Sequence, residues 1–144
     1  MALPVDLGKV RQKTADIRDA LNNLAPYAGV GPEEFLADPK GIAAAKFYLI
    51  VATEAAIGLC NHLAARVANR APASYAECFG ILRETGIISE QLAGRLVLMA
   101  KFRNFLIHRY ADADDRVIHQ IICQIPTDLT AYLSELGVFL KENI

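Results

Sequence analysis

Along the first part of the chain, apolar or small residues return every three or four positions: Leu7, Val10, Thr14, Ile17, Leu21 and Leu24. That spacing follows the turn of an α-helix and predicts an amphipathic helix with one buried face, ending near Pro26. Gly29, Gly31, Pro32, Pro39 and Gly41 then mark a loop, with one helical turn around Glu33 to Ala37. From residue 42 to about 69 the pattern changes. The stretch is Ala-rich and apolar nearly all round, with neither strand alternation nor turn residues, which predicts a long central helix buried on more than one side.

Pro72 closes the next connection, and Ser74-x-x-Glu77 has the spacing at which a hydroxyl and a carboxylate satisfy the free N–H groups of a helix start. A short helix runs from there to about Glu84, and Gly86 breaks it. Ser89 caps the following helix, whose stripe reads Leu92, Leu96, Met99, Arg103, Leu106 and Tyr110. Asp112 to Asp115 suit a turn and a new helix N-terminus, where carboxylates complement the helix dipole. The last helical region, Val117 to Leu140, is expected to divide or kink at Pro126, because proline lacks the N–H and clashes with the preceding turn. The expectation is an all-α, up-and-down bundle of about five helices in a single domain spanning 1–144.

At 144 residues such a domain buries roughly 70% of the surface its unfolded chain exposes, enough for a core without metal or cross-links. A formal net charge of -1 excludes a broad electrostatic grip on nucleic acid, so any RNA contact is local. One window departs from that balance: between Glu90 and Asp112 there is no acidic residue, while Arg95, Lys101, Arg103, His108 and Arg109 all fall there. A solvated basic face is the plain alternative reading of such a window. Cys60, Cys78 and Cys123 are odd in number, widely spaced and set among apolar residues. They read as small buried hydrophobes, with neither a disulfide framework nor a zinc site indicated. Phe47 to Cys60 is the most apolar stretch, but Glu54 lies inside it and Lys46 precedes it, which makes a poor membrane span. With Asp6 and Lys9 set in an amphipathic pattern at the start, no signal peptide is read, and a cytoplasmic protein is expected.

The chemistry concentrates in Arg103-Asn104-Phe105-Leu106-Ile107-His108-Arg109-Tyr110. An imidazole exchanges protons near neutral pH, and a guanidinium can hold a phosphoryl group that gains charge in a transition state. These are the groups that phosphodiester cleavage without a metal would use, and no cofactor is called for. On an unbroken helix, residues five apart diverge by about 140°, so Arg103 and His108 would not converge, whereas Arg103 and Tyr110 would nearly eclipse. A compact site therefore needs a helix end near His108 or a second copy from another subunit. Asn104, four residues before His108, is placed to orient the imidazole by hydrogen bonding. Glu54 and Asn61 lie seven apart on the central helix, in line with Phe47, Ile50 and Ile57. A carboxylate there should be paired, and Arg103 is one candidate partner; an ion pair that positions Arg103 or bridges two protomers is preferred over direct chemistry. His62 reads as a helix-packing residue and His119 as exposed or interfacial. Taken alone, a histidine in Phe-Leu-Ile-His and a tyrosine at a helix end are more often structural than catalytic.

The arrangement Arg103-x4-His108-x-Tyr110 resembles the Arg-x4-His-x-Tyr signature of the HEPN superfamily, and more specifically the HepT toxins paired with a minimal nucleotidyltransferase antitoxin, MntA. The likeness extends to Glu54-Ala55-Ala56 through Asn61-His62-Leu63, Ser74-Tyr75, Gly86-Ile87-Ile88 and Phe102-Arg103-Asn104, and so covers most of the chain. The resemblance implies a HEPN-type bundle that forms a homodimer, so that two motifs line one cleft. It also implies a metal-independent endoribonuclease toxin of a type VII-like HEPN/MNT system, acting on tRNA or mRNA through attack by the substrate's own 2′-hydroxyl. His108 would transfer protons and Arg103 would neutralise the scissile phosphate, while adenylylation of Tyr110 by an MntA-like partner would inhibit. A non-catalytic HEPN subunit that positions a nucleotidyltransferase is the competing class. It has no physical need for Arg103, His108 and Tyr110 together. A small-molecule-binding bundle would need an enclosed pocket that sequence does not reveal.

Overall fold

The computed structural model describes residues 4–143 and contains six α-helices and one 3-10 turn, with no strand among the described residues. α1 spans Leu7–Ala28, α2 Pro32–Leu36, α3 Pro39–Val67, α4 Tyr75–Glu84, α5 Glu90–His108 and α6 Asp115–Asn143, with the 3-10 turn at Tyr110–Asp112 between the last two. The bundle is organised around α3, which touches all five other helices. Its small residues Ala45, Ala52, Ala56 and Ala64 are fully enclosed, and Leu49, Leu59 and Leu63 fill the space between them and the neighbours. By length and composition α3 would also pass for a membrane span; here its flanks are covered by protein. Tyr132 of α6 is buried without exposure against this helix and donates from its hydroxyl to the Ala56 carbonyl at 3.2 Å. Burial raises its hydroxyl well above the ordinary tyrosine range.

The helix starts follow the expected chemistry. The Asp6 carboxylate accepts from Lys9 N, the Ser74 hydroxyl from Glu77 N at 3.0 Å and the Ser89 hydroxyl from Leu92 N at 3.2 Å. Glu77 reaches back to Ala73 N. Gly86 adopts φ 78°, and its N–H and that of Ile87 return to Arg83 and Leu82, so α4 ends in a left-handed cap that a side chain would strain.

Several expectations are corrected. The central helix begins earlier than residue 42, because Asp38 caps it by accepting from Gly41 N at 3.0 Å and Pro39 occupies its first turn, where a missing N–H costs nothing. α1 ends near Pro26 as expected, at Ala28, whereas α6 runs undivided through Pro126. Cys60 and Cys78 are buried as expected but form a disulfide between α3 and α4, with Cα atoms 6.3 Å apart, while Cys123 is exposed. Their separation of 18 residues carries no pairing signal; only the packing of α3 on α4 brings them together. His119 is buried rather than exposed, its Nε2 2.8 Å from the Val30 carbonyl and its ring beside Phe35.

His62, by contrast, packs as expected. It is buried, and its Nε2 accepts from Asp6 N at 3.2 Å, which requires a neutral ring. Burial lowers its pKa below 6.5, Lys9 and Arg66 add to that effect, and Asp6 opposes it. The folded state then binds fewer protons than the unfolded state, so this contribution is complete above pH 6.5 and is lost as pH falls through the lowered folded value. We expect the melting midpoint to fall between pH 7.5 and pH 5, with a smaller fall in His62→Gln, measured by circular dichroism. Leu63→Ala should cost about 2–5 kcal/mol in urea denaturation, since Leu63 has no exposed surface.

Candidate functional site

α5 presents two different faces. Leu92, Leu96, Met99 and Leu106 are buried, and Arg103 lies on the same side, facing the wall made by α3 and α4. Its guanidinium donates from Nη2 to Glu54 Oε1 on α3 at 2.5 Å and lies 5.6 Å from the centre of the Tyr75 ring on α4. Its side chain keeps 18% of its surface exposed, against 51% for Glu54. Arg103 is thus a cation held by a carboxylate, near the face of an aromatic ring and still partly reachable from solvent. Its Nε is enclosed without a hydrogen-bond acceptor.

The opposite face carries Leu98, Lys101, Phe105 and His108, which share a strip about 80° wide on an ideal helix. All four are exposed, Leu98 at 66%. α5 stops at His108: Arg109 has φ -131° and ψ 41°, and the chain turns into the 3-10 segment. The helix end near His108 that the motif spacing required is therefore present, and the imidazole stands in solvent at the C-terminus of α5. Asn104 does not orient it. The amide oxygen instead accepts from Arg103 Nη1 at 3.1 Å, so Asn104 adds to the fixing of the guanidinium.

Because the helix ends before Tyr110, this residue does not stack above Arg103 as a continued helix would place it. Tyr110 is 45% exposed, and its ring lies under a different cation, Lys46 of α3, whose Nζ is 4.4 Å from the ring centre. Lys46 and Glu54 are separated by about 12 Å along α3. One protomer therefore has two cation positions on one helix: Arg103 opposite Glu54, and Lys46 at Tyr110. Lys46, Tyr75 and Asp115 were missed in the sequence. A lysine set within the apolar run of the central helix was the available signal for the first; nothing local marks the other two.

The main grooves of the bundle are lined by neither Arg103 nor His108. An apolar groove of about 400 Å³ lies instead between α5 and α6, lined by Leu98, Met99, Phe102, Ile121 and Ile125 with the Arg95–Asp128 ion pair at its edge. A more polar groove between α1 and α3 includes Glu54, Phe47, Asp16 and Asp19.

The family described as ribonuclease HepT-like matches residues 17–136 of this chain. The chain belongs to that family. A search of curated protein sequences finds no match. Among solved structures, the chain is similar to the tri-AMPylated Shewanella oneidensis HEPN toxin in complex with an MNT antitoxin, at 20% identity and TM-score 0.83 over 90% of this chain and 97% of that one. It is also similar to YutE, a cytosolic protein of unknown function from Bacillus subtilis, at 18% identity and TM-score 0.84 over 99% and 95%. A third likeness is to a toxin–antitoxin complex with AMP-PNP, at 19% identity and TM-score 0.80 over 89% and 97%. At these identities the neighbours establish a shared HEPN fold.

Because Glu54 is half exposed, its ion pair with Arg103 should position the cation more than stabilise the fold. A double-mutant cycle with Glu54→Gln and Arg103→Gln, read by urea denaturation, is expected to give a coupling below about 1 kcal/mol. A coupling above about 2 kcal/mol would mean that the pair holds the bundle together.

Proposed function

We propose that this protein is a HEPN toxin of a type VII-like toxin–antitoxin pair: an endoribonuclease that cleaves RNA without a metal and is silenced by nucleotidyl transfer to Tyr110. The observation that carries the reading is the division of labour on α5. Arg103 is immobilised by Glu54, Asn104 and Tyr75, while His108 stands exposed at the helix end, on the strip that carries Leu98 and Phe105. A phosphate can approach the partly reachable guanidinium, and the imidazole is free to exchange protons with solvent or with a 2′-hydroxyl.

In this reading the substrate's 2′-hydroxyl attacks the scissile phosphorus, a bond to the 5′-oxygen breaks, and a 2′,3′-cyclic phosphate remains. His108 takes the hydroxyl proton or delivers one to the leaving oxygen, and Arg103 neutralises the charge that accumulates on the phosphorane. Since Arg103 and His108 face different directions on α5, the full site draws on a homodimer. Leu98, Phe105 and Ile107 are exposed apolar side chains on the helix that carries the motif, and they supply a surface for that contact. tRNA and mRNA both present the required phosphate and 2′-hydroxyl. The partner is an MntA-like nucleotidyltransferase, and the exposed Tyr110 is reachable by it. The family match and the HEPN–MNT complexes among the structural neighbours support this assignment, and the cytosolic neighbour supports a cytoplasmic location.

The test is incubation of the purified chain with total RNA in the presence of a chelator, followed by end-group analysis. Cyclic phosphate termini are expected, with Arg103→Ala and His108→Ala each lowering cleavage by roughly 100-fold or more. The His108 variant should fold normally, since that side chain is exposed. Undiminished cleavage by His108→Ala would falsify the mechanism. A wild-type chain with no activity on RNA, yet bound to a nucleotidyltransferase, would point to the non-catalytic subunit instead.

A further inference from the structure

Among the described residues Lys46 is the one buried lysine, with 9% of its side-chain surface exposed. An ammonium taken out of water needs compensation, and lysine is among the residues least often enclosed. Here the compensation is incomplete. Asp115, in the first turn of α6, brings Oδ1 to 3.2 Å from Lys46 Nζ, but not along a hydrogen-bonding direction, and that oxygen is left enclosed without a hydrogen bond. The other contact is the face of the Tyr110 ring, 4.4 Å from Nζ to its centre. The arginines close by in the chain, Arg109 and Arg116, are exposed and committed to Asp112 at 2.7 Å and to Glu33 at 3.1 Å.

We propose that Lys46, anchored by Asp115, is a positioning residue that holds the Tyr110 ring for modification and then receives the phosphodiester formed on its hydroxyl. The inference rests on the reading of Tyr110 as the acceptor of a nucleotidyl group. In that transfer the phenol oxygen bonds to the α-phosphorus of a nucleoside triphosphate, the bond to pyrophosphate breaks, and the phenolic proton leaves to solvent or to a base on the transferase. Lys46 exchanges no proton. An ammonium over a phenol ring stands within reach of any phosphoryl oxygen attached to that ring, and the adduct supplies the anion that Asp115 only partly provides. Inhibition then consists of locking bulk and charge at the end of α5, next to His108, rather than quenching Arg103 directly.

The experiment is single-turnover labelling of the toxin by its partner nucleotidyltransferase with α-labelled ATP, using wild type, Lys46→Gln, Lys46→Arg and Tyr110→Phe. Labelling is expected to be absent in Tyr110→Phe, about tenfold slower in Lys46→Gln at an unchanged KM for ATP, and near wild type in Lys46→Arg. A Lys46→Gln chain labelled at the wild-type rate would overturn the role of Lys46 alone; so would an equal loss in Lys46→Arg, because charge would then be irrelevant. Wild type that takes up no label at Tyr110 would remove the underlying reading and this one with it. A second measurement needs no variant: labelled wild type should melt about 2–4 °C above unlabelled protein, because the adduct completes the buried charge cluster. No rise would overturn the proposal even if Lys46→Gln failed to fold.

Discussion

The enclosure of α3 is the constraint from which the rest of the molecule follows. A helix that is apolar nearly all round gains stability only by being covered nearly all round, and five helices are needed to do it. Where the covering elements leave a seam, α3 places its few charged groups. Glu54 lies in the seam opposite α5 and Lys46 in the seam opposite the start of α6. Each draws in a residue of the motif: Glu54 holds Arg103, and Lys46 holds Tyr110. The core thus locates the chemistry directly, and the motif residues themselves contribute little to the core beyond Leu106.

The end of α5 at His108 gives the three motif residues different surroundings. Arg103 is within regular helix and acquires three fixed contacts; His108 is the final residue and faces solvent; Tyr110 has already entered a tighter turn and points back toward α3. Had the helix continued, Tyr110 would have eclipsed Arg103 and the acceptor of the proposed modification would have shared the catalytic cation. The observed break gives the two their own cations. The group proposed to be modified and the cation proposed to act on RNA therefore do not share one guanidinium.

Much of this was legible in the sequence because the relevant signals are local. Period-three-and-four stripes, Ser74 and Ser89 as caps, Gly86 as a stop and the unbroken apolar run of α3 all act over one or two turns, and each appears where the spacing put it. The pairing of Glu54 with Arg103 was legible too, since a carboxylate on an apolar stripe demands a partner and few cations were on offer. What escaped depends on contacts distant in sequence. Cys60 meets Cys78, His119 tucks under Val30, and Lys46 finds Asp115 only through tertiary packing. The proline signals misled for a different reason: Pro39 sits in a first turn, where it is harmless, and the packing around α6 outweighs the single backbone bond that Pro126 omits.

The dependence of α3 on α6 also has a temporal side. Asp115 anchors Lys46 and Tyr132 reaches across to the Ala56 carbonyl, so the Lys46 side of the central helix takes its final form only when α6 packs. On a nascent chain emerging from the ribosome, Glu54, Tyr75 and Arg103 are all made before Asp115, so the guanidinium has its partners before the lysine has its carboxylate. The order of synthesis thus separates the two cations in time as the end of α5 separates them in space.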